Sequence, residues 1–418
     1  MLRDTSYRIL ADGITTSNDT WRTHINNNTL IVGPSGAGKS RGYVQPNILK
    51  AEGSIVVTDT KGDLYGKSLS KLISKGYDVQ QIDFTDCARS TIGYNPLDFV
   101  ALDGNDLPNE EQIMTIATSI CPIEDTKEPF WDYATQKVIA SYIGYAITYL
   151  PKEESNLRKV FELSELDTDG RYAKLLAEAT INNPDDFAYR QYAVIRAGES
   201  ADKMIGSIRG LVGEKLSTYR IKGIEKLFTM KKRIDFKSIR HRKTALFVHV
   251  SDTDRSKDQL LALFYNQLFN ELIADRNTAK ESYPIHAILD DFACQARIPD
   301  FDNLISVIRS RNIYASLIVQ SLAQLTKIYG RSASVITENC DTICYLGGND
   351  VDTARWIGMR VNKPAYAILT MPVDDMLIIQ RGKEPIKAHR FMLEDEWSET
   401  GITKRETDNN TPQTAFRR

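Results

Sequence analysis

The 418-residue sequence contains no uninterrupted apolar run of the ~18–20 residues that a membrane-spanning helix requires. The nearest candidate, Val138 to Leu150, is short and is broken by Ser141 and Thr148. The first ten residues, MLRDTSYRIL, lack the apolar core of a signal peptide. The expectation for the chain as it stands is a soluble, cytoplasmic protein. Cysteine is also scarce. Cys87, Cys121, Cys294, Cys340 and Cys344 show no CxxC spacing, and no histidine cluster sits near the Cys340/Cys344 pair. That pattern points away from zinc and toward buried, reduced thiols. An excess of either charge is absent too: 53 Lys and Arg stand against 55 Asp and Glu, a formal net charge of -2. The chain therefore lacks the global signature of a nucleic-acid binder, and any DNA contact must come from local basic patches or a charged channel. No internal repeat of solenoid type is present.

What the sequence does hold is the composition of a folded enzyme, with 42% hydrophobic and 26% charged residues. The length exceeds one ordinary domain and suggests a large α/β domain with an insertion. Short apolar runs predict strands at Thr29–Val32, Ser54–Thr58, Val79–Asp83, Thr244–Val250, Ile285–Leu289, Tyr314–Val319, Thr342–Leu346 and Met376–Gln380. Several are continuously apolar, which suits strands buried on both faces by crossover helices. Together they predict a mainly parallel, doubly wound sheet flanked by helices. Between Asp103 and Met230 the strand signals stop. Asn109 and Gln112 resemble a capping box opening a helix with Ile113, Ile116, Ala117 and Ile120 on one face. A second helix presents Trp131, Ala134, Val138, Tyr142, Ala146 and Tyr149, and ends before Pro151. A third carries Ala201, Met204, Ile205, Ile208, Leu211 and Val212. Residues 103–229 thus read as an all-helical domain inserted between 1–102 and 230–397. The polar segment 398–418 is expected to be disordered.

The chemistry is carried first by Gly33-Pro34-Ser35-Gly36-Ala37-Gly38-Lys39-Ser40, a full GxxxxGK[ST] string between a β-branched strand and a helix candidate. Its glycines let backbone N–H groups turn inward as an anion nest, and the helix N-terminus adds its positive end. Lys39 would reach the β- and γ-phosphates of ATP, and the Ser40 hydroxyl would bind Mg2+. These eight residues, with Arg41 following them, form the expected nucleotide cradle. The magnesium needs a carboxylate from a neighbouring strand. Asp290-Asp291 ends the apolar run Ile285–Leu289, at the strand edge where ligands gather in such sheets. Asp290 is expected to hold Mg2+ through its water shell, and Asp291 to orient the attacking water. A pair of turn or capping aspartates is the plainer reading. Gln320, after the next apolar run, could sense the γ-phosphate, or could simply bond to edge backbone. Arg309 and Arg311 could act across a subunit boundary on a neighbour's phosphates, or be solvated helix ends. Lys231-Lys232-Arg233 and Arg240-His241-Arg242-Lys243 could track DNA phosphates without reading bases, or be a solvated face.

In this order the strings resemble the type IV secretion coupling proteins, the conjugative DNA-transfer ATPases. The resemblance rests on Leu30–Ser40 with Arg41-Gly42 and Pro46-Asn47, Val56–Leu64, Tyr94–Leu97, and Phe130-Trp131. It continues through Ile288–Ala293, Ile298–Phe301, Val319–Leu325 and Gly347–Asp350, so it runs from near Ile14 to about Phe391. It implies a RecA-like nucleotide-binding domain with an all-helical insertion, hexameric assembly, DNA-stimulated ATP hydrolysis, and handover of a relaxase-bound strand to the secretion channel. It also implies that Asp59–Asp63 and the Tyr94–Leu97 turn line the nucleotide region, and that the helical domain receives protein substrates. Two departures stand out. Asp291 replaces the family's usual Glu, and the family's N-terminal membrane helices are missing. The chain is then either a cytosolic fragment or a soluble form recruited to the cytoplasmic face by a membrane subunit. Two other functions stay open: a mainly non-hydrolytic ATP-binding receptor for the relaxosome, and a DNA-translocating ring ATPase outside secretion.

Overall fold

The computed structural model of the protein describes residues 6–123, 127–197, 202–275, 282–292 and 296–393. The expected tail at 398–418, together with Cys294, Ala201 and Ala293, lies outside the described residues.

The described residues hold eleven strands, and eight of them are those read from the sequence. They run β1 Tyr7–Ala11, β2 Ile14–Ser17, β3 Thr29–Val32, β4 Ser54–Asp59, β5 Asp78–Asp83, β6 Thr244–His249, β7 Ile285–Leu289, β8 Ile313–Val319, β9 Thr342–Tyr345, β10 Asp375–Gln380 and β11 Ile386–His389. β1 and β2 form an antiparallel hairpin. The other nine make one sheet, in the order β11-β10-β9-β3-β8-β7-β4-β6-β5. β9, β3, β8, β7, β4 and β6 are mutually parallel, while β10 and β11 add an antiparallel edge. The expectation of a mainly parallel sheet flanked by helices holds. Its physical basis is visible in the centre, where every residue of β3, β4, β7 and β8 is buried. Such strands need apolar or β-branched side chains on both faces, which is why they read as continuous runs. One face buries Ile31, Ile55, Val57, Ile288 and Ile318 against Val44 and Ile48, which lie just after the phosphate-loop string.

The chain divides into two compact units: Met1–Gln81 with Asp235–Thr253 and Leu272–Arg418, and Ile82–Ile234 with Asp254–Glu271. In the second unit, the helix Glu110–Ile120 is capped by Asn109, whose side chain accepts from the Gln112 N–H at 2.9 Å. Gln112 does not reach back to close a capping box; its side-chain oxygen accepts from the Ala101 N–H at 2.7 Å. The helix Phe130–Tyr149 departs from the one-sided pattern read from sequence, because residues 134–136 and 138–146 are all buried, around its whole circumference. Its small residues Ala134, Ala140, Gly144 and Ala146 allow that close approach from every side. The unit is pinned by a buried carboxylate. Asp167 is bonded by the Tyr142 hydroxyl at 2.8 Å, by the Tyr192 hydroxyl, and by both Nε and Nη2 of Arg209 at 3.1 Å. Burial first, and Asp167 second, hold the Tyr142 and Tyr192 phenols well above their usual range.

Candidate nucleotide site

The phosphate-loop string forms the turn from β3 into the following helix. Gly36 and Gly38 adopt φ of +77° and +78°, a region where an L side chain is strained. At Gly33 the constraint is space. A Cβ there would lie 2.9 Å from Leu346 Cβ and 3.2 Å from Ala37 Cβ. Pro34, Ser35 and Gly36 are exposed, whereas Ala37 and Lys39 are buried. The Lys39 ammonium donates to the carbonyls of Gly33 at 2.6 Å and Pro34 at 2.9 Å. Residues Ser40–Val44 form a single wide π-turn, a distortion common at functional sites.

Parallel pairing brings Asp290 and Gln320 to the same edge. β3 neighbours β8 with Val32 opposite Val319, and β8 neighbours β7 with Leu317 opposite Leu289. The ends of the three strands therefore carry Gly33, Gln320 and Asp290 to one rim of the sheet. The Ser40 hydroxyl donates to Asp290 Oδ2 at 3.1 Å. Asp290 is buried, and its carboxyl is pushed up to about 6 by burial first and by Asp291 second. Ser40 and Lys39 oppose that shift without cancelling it. A buried carboxylate beside a hydroxyl is an oxygen pair suited to a hard cation, whose charge would favour the ionised carboxylate. Residues Ser40 and Asp290 thus fit Mg2+.

Asp291 stands in the left-handed region at φ +50°, and its Oδ2 accepts from the Thr60 hydroxyl at 3.2 Å. Gln320, at the end of β8, is half-buried; its side-chain oxygen receives a long 3.4 Å contact from the Gln324 amide. A cavity of about 200 Å³ opens beside Pro34 and Ser35, lined by Gln320, Gln324, Tyr345 and Asp350 among others.

Two other candidates are placed elsewhere. Arg309 and Arg311 precede β8, at the opposite rim from the loop in the same chain. Arg309 is exposed, while Arg311 Nε donates to the Ile273 carbonyl at 3.1 Å. Arg41 is exposed and its Nη2 reaches the Leu393 carbonyl at 3.3 Å. Asp59 is fully used as a loop brace: it accepts from the N–H groups of Gly62 and Leu64, both at 2.8 Å. The Tyr94–Leu97 turn spends its polar groups within its own unit, with the Tyr94 hydroxyl on Gln267 at 2.7 Å and the Asn95 amide on the Ser155 carbonyl at 2.9 Å.

The second basic cluster needs correcting. Arg240 has no exposed surface; its guanidinium donates to the carbonyls of Leu272 at 3.0 Å and Arg311 at 2.9 Å. A buried guanidinium spent on carbonyls cannot follow a DNA backbone. Arg242 pairs with Asp78 at 3.3 Å, and Lys243 lies over the Tyr77 ring at 4.5 Å. In the first cluster, Arg233 pairs with Asp98 at 2.6 Å, while Lys231 and Lys232 are exposed. Among the described residues, Cys87, Cys121, Cys340 and Cys344 are buried and form no disulfide.

Sequence reasoning missed two contributors to this rim. Thr60 lay within the Asp59–Asp63 segment that the resemblance places beside the nucleotide, but it had no individual role until its bond to Asp291 appeared. Arg390 gave no signal at all: it follows a short polar strand, yet its Nη1 reaches the Ala37 carbonyl at 2.9 Å.

The family model "Type IV secretory system Conjugative DNA transfer" matches residues 5–363. The chain is 22% identical over 389 residues to the VirD4 protein of Rhizobium radiobacter, covering 90% of this chain and 55% of that one. It thus spans about half the length of the relatives it matches. Among solved structures, the unbound form of the conjugative coupling protein TrwB lacking 70 N-terminal residues superposes with a TM-score of 0.69 at 15% identity, covering 94% of this chain and 90% of that one. TrwB in complex with ADP and Mg2+ gives 0.68 at 15% identity, covering 94% and 91%. These last two likenesses establish the RecA-like P-loop fold.

Proposed function

The chain belongs to the type IV secretory conjugative DNA-transfer family, and from that premise we propose that it is an ATP-hydrolysing coupling protein that recruits a relaxase–DNA substrate and drives it into a secretion channel. The observation that carries the proposal is the 3.1 Å contact of the Ser40 hydroxyl with Asp290, beside a buried Lys39 on a glycine-shaped loop. Loop amides and the Lys39 ammonium neutralise the triphosphate of ATP. Ser40 and Asp290, the latter through its water shell, would hold Mg2+, which when bound would supply positive charge against the phosphates. Asp291, positioned by Thr60, orients the attacking water, and Gln320 at the neighbouring strand end reports loss of the γ-phosphate. The part played by a RecA-like motor domain falls to residues 1–102 and 230–397, and substrate reception to the helical residues 103–229. Arg309 or Arg311, far from their own chain's loop, serve a neighbouring copy in a hexamer. DNA, the relaxase and a membrane-bound channel subunit at the cytoplasmic face are the expected partners. Among the described residues no helix is long and apolar enough to cross a membrane.

Measuring ATP turnover with and without DNA tests the proposal. DNA is expected to stimulate the wild type. Lys39→Ala should lower turnover at least ~100-fold, since the transition-state charge loses its fixed counter-charge. Turnover that survives this change would remove Lys39 from the site. A second reading, a nucleotide-dependent receptor with little hydrolysis, is favoured by the short Asp291 side chain, which reaches Thr60 from a left-handed backbone. Tight Mg-ATP binding without DNA-stimulated turnover would select it.

A further inference from the structure

The carboxy-terminal hairpin β10–β11 lies beyond the family-matched span, which ends at residue 363. β10 is antiparallel to β9, and β11 is antiparallel to β10, so β11 runs in the same direction as β9 and β3. Leu377 pairs with Tyr345 and Asp375 pairs with His389, which sets the end of β11 level with the loop that follows β9. Arg390 is the next residue. Its main-chain N–H is bonded to the Asp374 carbonyl at 3.0 Å, anchoring the backbone. Its guanidinium reaches back across the rim, with Nη1 on the Ala37 carbonyl at 2.9 Å and Nη2 on the Leu346 carbonyl at 2.6 Å. Nε is buried with no partner. Among the described residues, no carboxylate pairs with this arginine within 4.0 Å, so its charge is spent on carbonyls.

We propose that Arg390 is a positioning residue for the phosphate loop, clamping Ala37 against the end of β9 and polarising the peptide that joins Ala37 to Gly38. The physical reason lies in the nest. When loop N–H groups face an anion, the opposed carbonyls face away and need donors of their own. The Ala37 carbonyl and the Gly38 N–H belong to one peptide group. A cationic donor on that oxygen strengthens the N–H on the other side, because hydrogen bonds in series polarise each other. The planar fork also couples two carbonyls at fixed separation, which a lysine cannot reproduce. Packing agrees: Leu346, whose carbonyl receives Nη2, is the residue that a side chain at Gly33 would strike at 2.9 Å. The same segment touches the loop's helix twice more. Arg41 bonds the Leu393 carbonyl, and a Cβ at Gly42 would lie 2.6 Å from the Phe391 carbonyl.

The inference rests on the nucleotide reading of Gly33–Ser40, and the test separates the two. Binding of Mg-ADP bearing a fluorescent ribose label is measured for the wild type, Arg390→Ala, Arg390→Lys and Arg390→Gln, with Lys39→Ala as reference. Hydrogen exchange is followed at peptides covering residues 33–40. Arg390→Ala should weaken Mg-ADP binding about 10- to 100-fold and speed exchange at Ala37 and Gly38 at least about tenfold, with helices of the other unit unchanged. Arg390→Lys should recover less than half of the lost affinity on a logarithmic scale. Should Arg390→Ala fold poorly, Arg390→Gln, which retains a donor without the charge, carries the same expectation. Binding within twofold of wild type together with unchanged loop exchange overturns the clamp. A wild type that binds no Mg-ADP would overturn the nucleotide reading instead. The clamp then stands or falls on loop exchange alone: faster exchange in Arg390→Ala supports it, and unchanged exchange refutes it.

Discussion

Asp290 is the residue where stability and chemistry oppose each other. Its carboxyl is raised from 3.8 to about 6 by burial first and Asp291 second. A carboxyl raised in the folded state favours folding only when protonated. Stability is therefore lost as pH climbs from about 4 through about 6, and the cost persists at neutral pH. A shift of that size corresponds to roughly 3 kcal/mol as a ceiling. In Mg2+-free buffer, Asp290→Asn should raise Tm at about pH 7.5 and leave it nearly unchanged at about pH 4, as checked by calorimetry. An equal gain at both pH values would mean that charge is not the cause. Asp291 presents a different trade. At φ +50° it occupies a conformation that Asp and Asn tolerate better than Glu does. Asp291→Asn should therefore preserve Tm and Mg-ADP affinity within about twofold while lowering turnover 10- to 100-fold, as expected for loss of a general base. If steady-state rates stay unchanged, Asp291 does not orient the water.

At the scale of elements, seven of the eight sheet strands anticipated from sequence share one property, an apolar or β-branched run buried for most of its length, while β5 at the sheet edge is marked only by Val79 and Ile82 around two glutamines. Of the three missed strands, β1 carries only the short apolar run Ile9-Leu10-Ala11 after Tyr7 and Arg8, and the other two lack such a run. Ile14-Thr15-Thr16-Ser17 and Ile386-Lys387-Ala388-His389 are short and half polar, because each sits at an edge and buries one side at most. The site was legible for a related reason. Gly36, Gly38, Lys39, Ser40 and Asp290 answer to local spacing or to a strand end. Arg390 and Thr60 act through bonds between segments far apart in the chain, and no spacing rule reports those. The same distinction governs the helical unit, where Asp167 joins Tyr142, Tyr192 and Arg209 from separate segments. Asp167→Ala should destabilise that unit by about 3–5 kcal/mol, because it strands a partly buried guanidinium and two buried phenols. Urea unfolding followed by tyrosine fluorescence reads it, and the paired change Asp167→Leu with Arg209→Met should cost less than Asp167→Ala alone.

For the whole molecule, a net charge of -2 means that any DNA affinity would come from local cations. Lys231 and Lys232 are exposed, whereas Arg240 is sealed among carbonyls. Replacing both lysines with alanine should lower the slope of log K against log salt by up to about 2 in anisotropy titrations, near one for each phosphate no longer neutralised. Arg240→Met should leave that slope unchanged and lower thermal stability. Reversal of these two results would relocate the DNA path. The bonds of Lys39 to the Gly33 and Pro34 carbonyls carry a kinetic consequence. An incoming polyphosphate must exchange with carbonyls that already hold the ammonium, so arrival and capture become successive events. In stopped-flow mixing, an association rate that levels off at high nucleotide concentration would mean that the lysine leaves its own loop slowly, and a strictly linear rise would mean that it lets go faster than nucleotide arrives.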